Sequence, residues 1–273
     1  MAEAKKEVAD PKSANVVALS SMFEQDQGMG NENVGQEDLA TPFLKIISGQ
    51  DDDIMNENDN AKKGDIYNTV SKEIFKGKDG IRVIPCSYQV RFIQWAPRGV
   101  GTGAPVAIYL PNEKRPETQR DENTNQDKVV GADGDYIEET HQHFVLLLKD
   151  DGAAEPALIT MKSTQRKKSK KWNTLIKSIV LPSANGAFSP PRFSHIYKLT
   201  TVPEKNDKGS WHGWEMAKDS MVTDENIYNQ AKAFAQSIKA GEVAVKHQAD
   251  NQDAETYRPE TKDEDTVKEK KVF

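Results

Sequence analysis

Between Ile81 and Trp95 apolar and polar positions alternate with a period of two: Ile84, Cys86, Tyr88, Val90 and Phe92 point one way, Gln89, Arg91, Ile93 and Trp95 the other. That is the pattern of a half-buried strand, and Pro85, which cannot donate to a ladder, predicts an edge or a bulge. Glu138 to Lys149 and Ala157 to Met161 read as a hairpin turning over Lys149 to Gly152; Arg192 to Val202 and Trp211 to Met216 read as a second, turning over Glu204 to Ser210. Short strands are expected at 42–47 and 64–70. The period changes in Met161 to Leu181, where Trp172, Leu175, Ile176 and Ile179 fall at i, i+3, i+4 and i+7, one face of a helix that Ser163 or Thr164 would cap. A second helix is predicted from a cap at Thr223, through Ile227, Ala231, Phe234, Ala235 and Ile238, to a stop at Gly241. No internal repeat is visible.

Several short strands with one helix inserted between them predict a mostly β domain, an OB-like barrel over 40–241 with a C-terminal helix. A mixed α+β sheet with helices on one side is the alternative. Residues 97–135 are expected to form a long polar loop within it. The 273 residues are 36% hydrophobic with a mean hydropathy of −0.75, enough for one good core but not for packing every segment. An acidic arm at 1–39 and an acidic tail at 242–273 are therefore expected to be disordered.

Charge sharpens this division. The chain is −6 overall; 24–60 carries −9, 160–215 carries +8 and 250–269 carries −5. The longest purely apolar run, Phe144 to Leu148, is far below the ~20 residues a membrane span needs. The sequence MAEAKKEVAD does not have the charged-then-apolar form of a secretory signal, and the single Cys86 cannot form an internal disulfide. The host-cell cytoplasm is the expected setting, with no membrane partner.

A basic block in an acidic chain points to a polyanion. Binding single-stranded nucleic acid needs a cationic track for phosphates and aromatic faces for bases. The track would be Arg166, Lys167, Lys168, Lys170 and Lys171, extended by Arg91, Arg98 and Arg192; the platforms would be Trp95, Phe193, Tyr197, Trp211 and Trp214. The competing reading makes the lysines a solvated helix face and the aromatics core. Arg91 and Trp95, on the strand face opposite the apolar one, favour a binding surface.

Other chemistry finds less support. His141 and His143 share a strand face, with His195, His212 and Cys86 as conceivable further ligands, but there is no CxxC or HExxH, and no metal site is expected. Asp121, Asn123 and Asn125 open like a calcium loop that then has Gln126 and Ala132 where Gly and Glu are required. Gly99 to Gly103 lacks the Lys-Ser/Thr of a phosphate-binding loop, and Gly209 to Gly213 has Trp211 where a nucleophile elbow has serine. Neither an enzyme site nor a cofactor is expected.

Seven blocks carry a family likeness: ATPFLKIISGQ from Ala40, GDIYNTV from Gly64, RFIQWAPRG from Arg91, EETHQHFV from Glu138, MKST from Met161, PPRFSH from Pro190 and GSWHGWE from Gly209. Over about residues 30 to 245 the chain resembles a family of tailed-bacteriophage, podovirus-like proteins regarded as single-stranded-DNA-binding replication proteins. The resemblance implies an OB-like barrel that protects single strands, and an acidic tail contacting phage polymerase or helicase/primase. Asp263, Glu264, Asp265 and Phe273 match such a tail loosely, since basic residues separate them. A strand-annealing role, homodimerisation, and a structural or host-interaction role without nucleic acid stay open at this point.

Overall fold

The computed structural model describes residues 19, 21–35, 38–97, 99–100, 103–206, 209–243, 245 and 247. The chain divides into two compact units, 1–39 and 40–273. In the first, expected to be a disordered arm, residues 21–25 are helical and turns follow, with Leu19, Met22, Phe23 and Met29 all exposed.

The second unit is a β-rich α+β structure. Its main sheet runs β13 (Gly209–Met221), β12 (His195–Asn206), β4 (Ile81–Trp95), β8 (Tyr136–Leu148), β7 (Asp127–Val129), β6 (Thr118–Arg120), with β5 (Ala107–Tyr109) on β4 and β9 (Ala154–Lys162) on β8. A smaller sheet holds β1 (Leu44–Ile46), β2 (Ile66–Asn68) and β3 (Ile74–Phe75), and β10 (Leu181–Ser183) pairs with β11 (Gly186–Phe188). Every ladder is antiparallel. Three α-helices of this unit are α1 (Asp52–Glu57), α2 (Arg166–Lys177) and α3 (Glu225–Ala240).

Both faces of the β4–β8–β9 sheet are covered, and the sequence shows why. Along β8, Val145 and Leu147 enter one core and Phe144 and Leu146 the other, so its continuous apolar run serves two faces. The first core adds Leu44 and Ile66 of the small sheet, Trp172 of α2, and Tyr197, Leu199, Trp214 and Met216 of the β12–β13 hairpin. The second packs Ala231, Phe234 and Ile238 of α3 on Ile84, Cys86, Phe144, Leu146 and Leu158.

Several expectations are corrected. The sheet does not close into an OB-like barrel: among the described residues no ladder joins β13, at one end of its order, to β6 or β9 at the other, so the sheet stays open. The small sheet extends no ladder of the main one; it packs Leu44 and Ile66 into the first core and is joined to its neighbours by an isolated bridge between Phe43 and Leu158, a hydrogen bond from Leu158 N to Pro42 O at 2.8 Å and one from Thr201 N to Gly77 O at 2.9 Å. The 97–135 loop contains β5, β6 and β7. A bulge between Pro85 and Ser87 breaks the long alternation, so Ile84 and Cys86 face α3 whereas Tyr88 faces His141 and His143. The basic helix ends at Lys177, and Leu181 starts β10. Asp224, one residue past the expected Thr223, caps α3 by accepting from Ile227 N at 3.0 Å, and Gly241 closes it with φ +83.

Gly77 holds the small sheet against β12. A Cβ there would lie 1.9 Å from Gly64 O and 2.2 Å from Thr201 Oγ1. Gly77→Ala is expected to lower stability by about 1–3 kcal/mol through overpacking, read as a fall in the urea midpoint at unchanged slope.

Candidate nucleic-acid interface

Residues from two separate segments converge on a cleft of about 500 Å³ at the start of α2. Arg166, Lys167, Lys168 and Lys170 line one side and Glu204, Asn206 and Trp211 of the β12–β13 hairpin the other, with Ser163 and Thr164 between. The local fold explains the convergence. A 3-10 turn, Ser163–Gln165, leads from β9 into α2, and Gln165 Oε1 accepts from Trp214 N at 3.0 Å, tying the helix start to β13. Neither Ser163 nor Thr164 caps the helix, whose beginning has no side-chain cap at all.

The cations are less free than their number suggests. Lys168 Nζ lies 2.8 Å from Glu204 and 3.5 Å from Glu215, Lys171 Nζ lies 3.2 Å from Glu215, and Arg166 pairs with Glu139. The hydrogen bond from Lys168 to Glu204 raises the pKa of Lys168 above its ordinary value, and that from Lys171 lowers Glu215. Lys167 and Lys170 are exposed and have no acidic partner among the described residues.

Most of the expected aromatic platforms are core. Tyr197 is fully buried and Trp214 is 2% exposed, because α2 and the small sheet cover that sheet face. Trp95 is 5% exposed, at the end of β4 where the returning connection is tied down by Gln94 Nε2 to Asp135 Oδ2 at 2.7 Å and Tyr109 OH to Gln94 Oε1 at 2.8 Å. Phe193 is half-buried, edge-on to Tyr228 at 5.3 Å. Trp211 alone of the four tryptophans is partly exposed, and its indole N–H donates to Glu204 Oε2 at 2.9 Å. Arg91 turns back on its own strand, donating to Val90 O and Gln89. Arg98, Asp263, Glu264, Asp265 and Phe273 lie outside the described residues.

Residues 11–244 match the family described as Pam3 phage gp34-like protein. The chain belongs to that phage family. No curated protein and no solved structure matches it. Among the described residues of this phage protein no helix is long and apolar enough to cross a membrane.

Behind the cleft lies a buried polar chain that periodicity did not reveal. Arg192, a cation pulled down to about 10 by burial, donates to His143 Nδ1 at 3.1 Å. Because guanidinium has no acceptor, His143 must carry its proton on Nε2, which donates to Ser169 Oγ at 2.7 Å. The Ser169 hydroxyl and Tyr88 OH each lie 2.9 Å from His141 Nδ1, and His141 Nε2 donates to Glu139 Oε1 at 2.8 Å. Burial pushes the Glu139 carboxyl up, but the hydrogen bond from His141 and the Arg166 guanidinium outweigh it and hold it below its usual range. Ser169, His141 and Glu139 thus have the connectivity of a serine–histidine–acid relay. With Ser169 and His143 fully buried and His141 2% exposed, however, the chain positions α2 and presents no serine to a substrate. The one visible signal for it was the i, i+2 spacing of Glu139, His141 and His143 on a single strand face.

Burial, with Arg192 and His141 adding, drives His143 well below its ordinary 6.5; burial, with Arg91 and Lys162 adding, draws His247 down to about 4. Both imidazoles stay neutral in the fold at pH values where the unfolded chain would protonate them. The stability they contribute is complete above about pH 6.5 and is lost as pH falls below it, by up to about 1.4 kcal/mol per unit for each. The melting temperature is expected to fall steadily from pH 6.5 to 5, and more gently in His143→Asn.

Proposed function

We propose that this phage protein binds single-stranded DNA without strong sequence preference and without catalysis, protecting it during phage DNA replication or recombination. One observation carries the reading: Arg166, Lys167, Lys168, Lys170 and Trp211 meet in a single cleft from segments about 40 residues apart in the chain. A mere solvated helix face gives no reason for an aromatic from another hairpin to stand across from it. The first turn of α2 adds a second support. Three cations, Arg166 to Lys168, sit at the positive end of the helix macrodipole with no acid in that turn. Each opposes the dipole by roughly 0.3–1 kcal/mol, and a bound phosphate would relieve all three. Recruitment of phage polymerase or helicase/primase through the acidic tail belongs to the same proposal and rests on the family likeness.

A second reading, as an interaction protein of the virion or of host takeover, is favoured by Val100, Val106, Ile108 and Leu110, which are exposed on and around edge strand β5. Its presence in purified particles, together with a failure to retain oligonucleotide, would select it.

Two outcomes test the nucleic-acid reading. Tryptophan fluorescence should quench on adding oligo(dT), and Trp211→Phe should abolish the quench, since Trp95, Trp172 and Trp214 are buried. Lys167→Gln with Lys170→Gln should weaken binding and flatten its log–log salt slope by about 1.4, roughly 0.7 for each phosphate that is no longer neutralised. A quench retained in Trp211→Phe, or an unchanged slope, would place the interface elsewhere.

A further inference from the structure

The Glu204 carboxylate is held in the cleft as a ligand would be. Its Oε1 lies 2.8 Å from Lys168 Nζ and its Oε2 accepts from the Trp211 indole N–H at 2.9 Å. The backbone beneath it is a glycine, Gly213, where a Cβ would lie 2.6 Å from Oε2 and 2.9 Å from Gln165 Nε2. A cation, a neutral N–H donor and a close-lying backbone thus surround one anionic head, and a second carboxylate, Glu215, reaches the same lysine from 3.5 Å. Two donors 2.8–2.9 Å from the two oxygens of a carboxylate suit the two non-bridging oxygens of a phosphodiester equally well.

We infer that Glu204 occupies a phosphate subsite of the cleft, and that one phosphodiester of a bound strand exchanges with its carboxylate on Lys168 and Trp211. The inference rests on the nucleic-acid reading but assigns something further, the side chain that competes for the site and the edge by which Trp211 takes part. Entry of a phosphate releases Glu204 to solvent, so the net attraction is that of phosphate less that of the internal carboxylate. Contact at this position is therefore weak, readily reversed and adds little to the salt slope, while Lys167 and Lys170 supply attraction with no internal competitor among the described residues.

Glu204→Gln removes the competing charge and keeps the shape. It should tighten oligo(dT) binding severalfold and steepen the salt slope by about 0.7. Glu215→Gln is the control of equal charge, because Glu215 pairs with Lys168 and Lys171 without lining the cleft. The discriminating readout is the Trp211 indole N–H resonance of ¹⁵N-labelled protein, assigned by its loss in Trp211→Phe. Inorganic phosphate should move it saturably in Glu204→Gln and far less in wild type or Glu215→Gln. Equal tightening in the two glutamate variants, with that resonance unmoved by phosphate, overturns the subsite. If no variant binds oligo(dT) yet phosphate moves the resonance in Glu204→Gln, the subsite stands and the DNA reading falls. If neither ligand acts, both fall.

Discussion

The burial of Trp172 decides where the charge of this protein points. Its indole is fully buried, stacked on the His143 ring at 4.6 Å and edge-on to Tyr197 at 5.9 Å. A helix anchored at one residue has its rotation fixed, since residues three and four away share that face. Ser169, Leu175 and Ile176 therefore turn inward with Trp172, and Lys167, Lys170 and Lys171 are left exposed. The polar chain from Arg192 through His143 and Ser169 to Glu139 completes the constraint by satisfying the hydroxyl that this rotation buries. Arg166 then closes the circuit from outside, tying the first turn of the same helix to Glu139.

Covering both faces of the central sheet has a cost for function. Aromatic side chains on sheet strands could serve as stacking platforms only where a face remains open, and here α2 with the small sheet closes one and α3 the other. In the proposed nucleic-acid reading, contact moves to the rim, where the helix start meets the β12–β13 hairpin. A rim cleft built from a lysine-rich turn and one tryptophan suits contact with a flexible backbone better than reading of base edges. Glu204 and Glu215, on that same hairpin, then set how much of the positive charge is available.

The long strands were legible because their signal is local. β4 was expected at 81–95, and the hairpin of β8 and β9 was expected with its turn in place, since alternation and a Lys-Asp-Asp-Gly turn act over a few residues. The hydrophobic stripes of α2 and α3 were equally clear. What periodicity could not provide was which apolar face meets which partner. The bulge at Pro85 to Ser87 moved Tyr88 to the face opposite Ile84, and a period-two reading cannot count through an extra residue. The barrel is missed for a related reason, since closure depends on pairing between the two end strands of the sheet, which no single strand encodes. In the cleft the cations and Trp211 were visible as residue types. The acids that pair with them lie about 30 to 50 positions away in sequence, and only the fold brings them together.

The pairing of those acids clarifies why so basic a helix is stable at all. Arg166, Lys167 and Lys168 oppose the macrodipole, and no side chain caps the helix start. Glu139, Glu204 and Glu215, all on strands, supply from outside the negative charge that a helix normally carries in its own first turn. Had stability been the only demand, one acid at position 166 or 167 would have met it at lower cost in ordering long side chains. Cations in the turn with their counter-charges on a neighbouring element give a helix start whose charge is balanced across the fold rather than within the helix. The exchange proposed for Glu204 would leave the helix in place, because Trp172, Leu175 and Ile176 anchor α2 in the core independently of the Lys168–Glu204 pair.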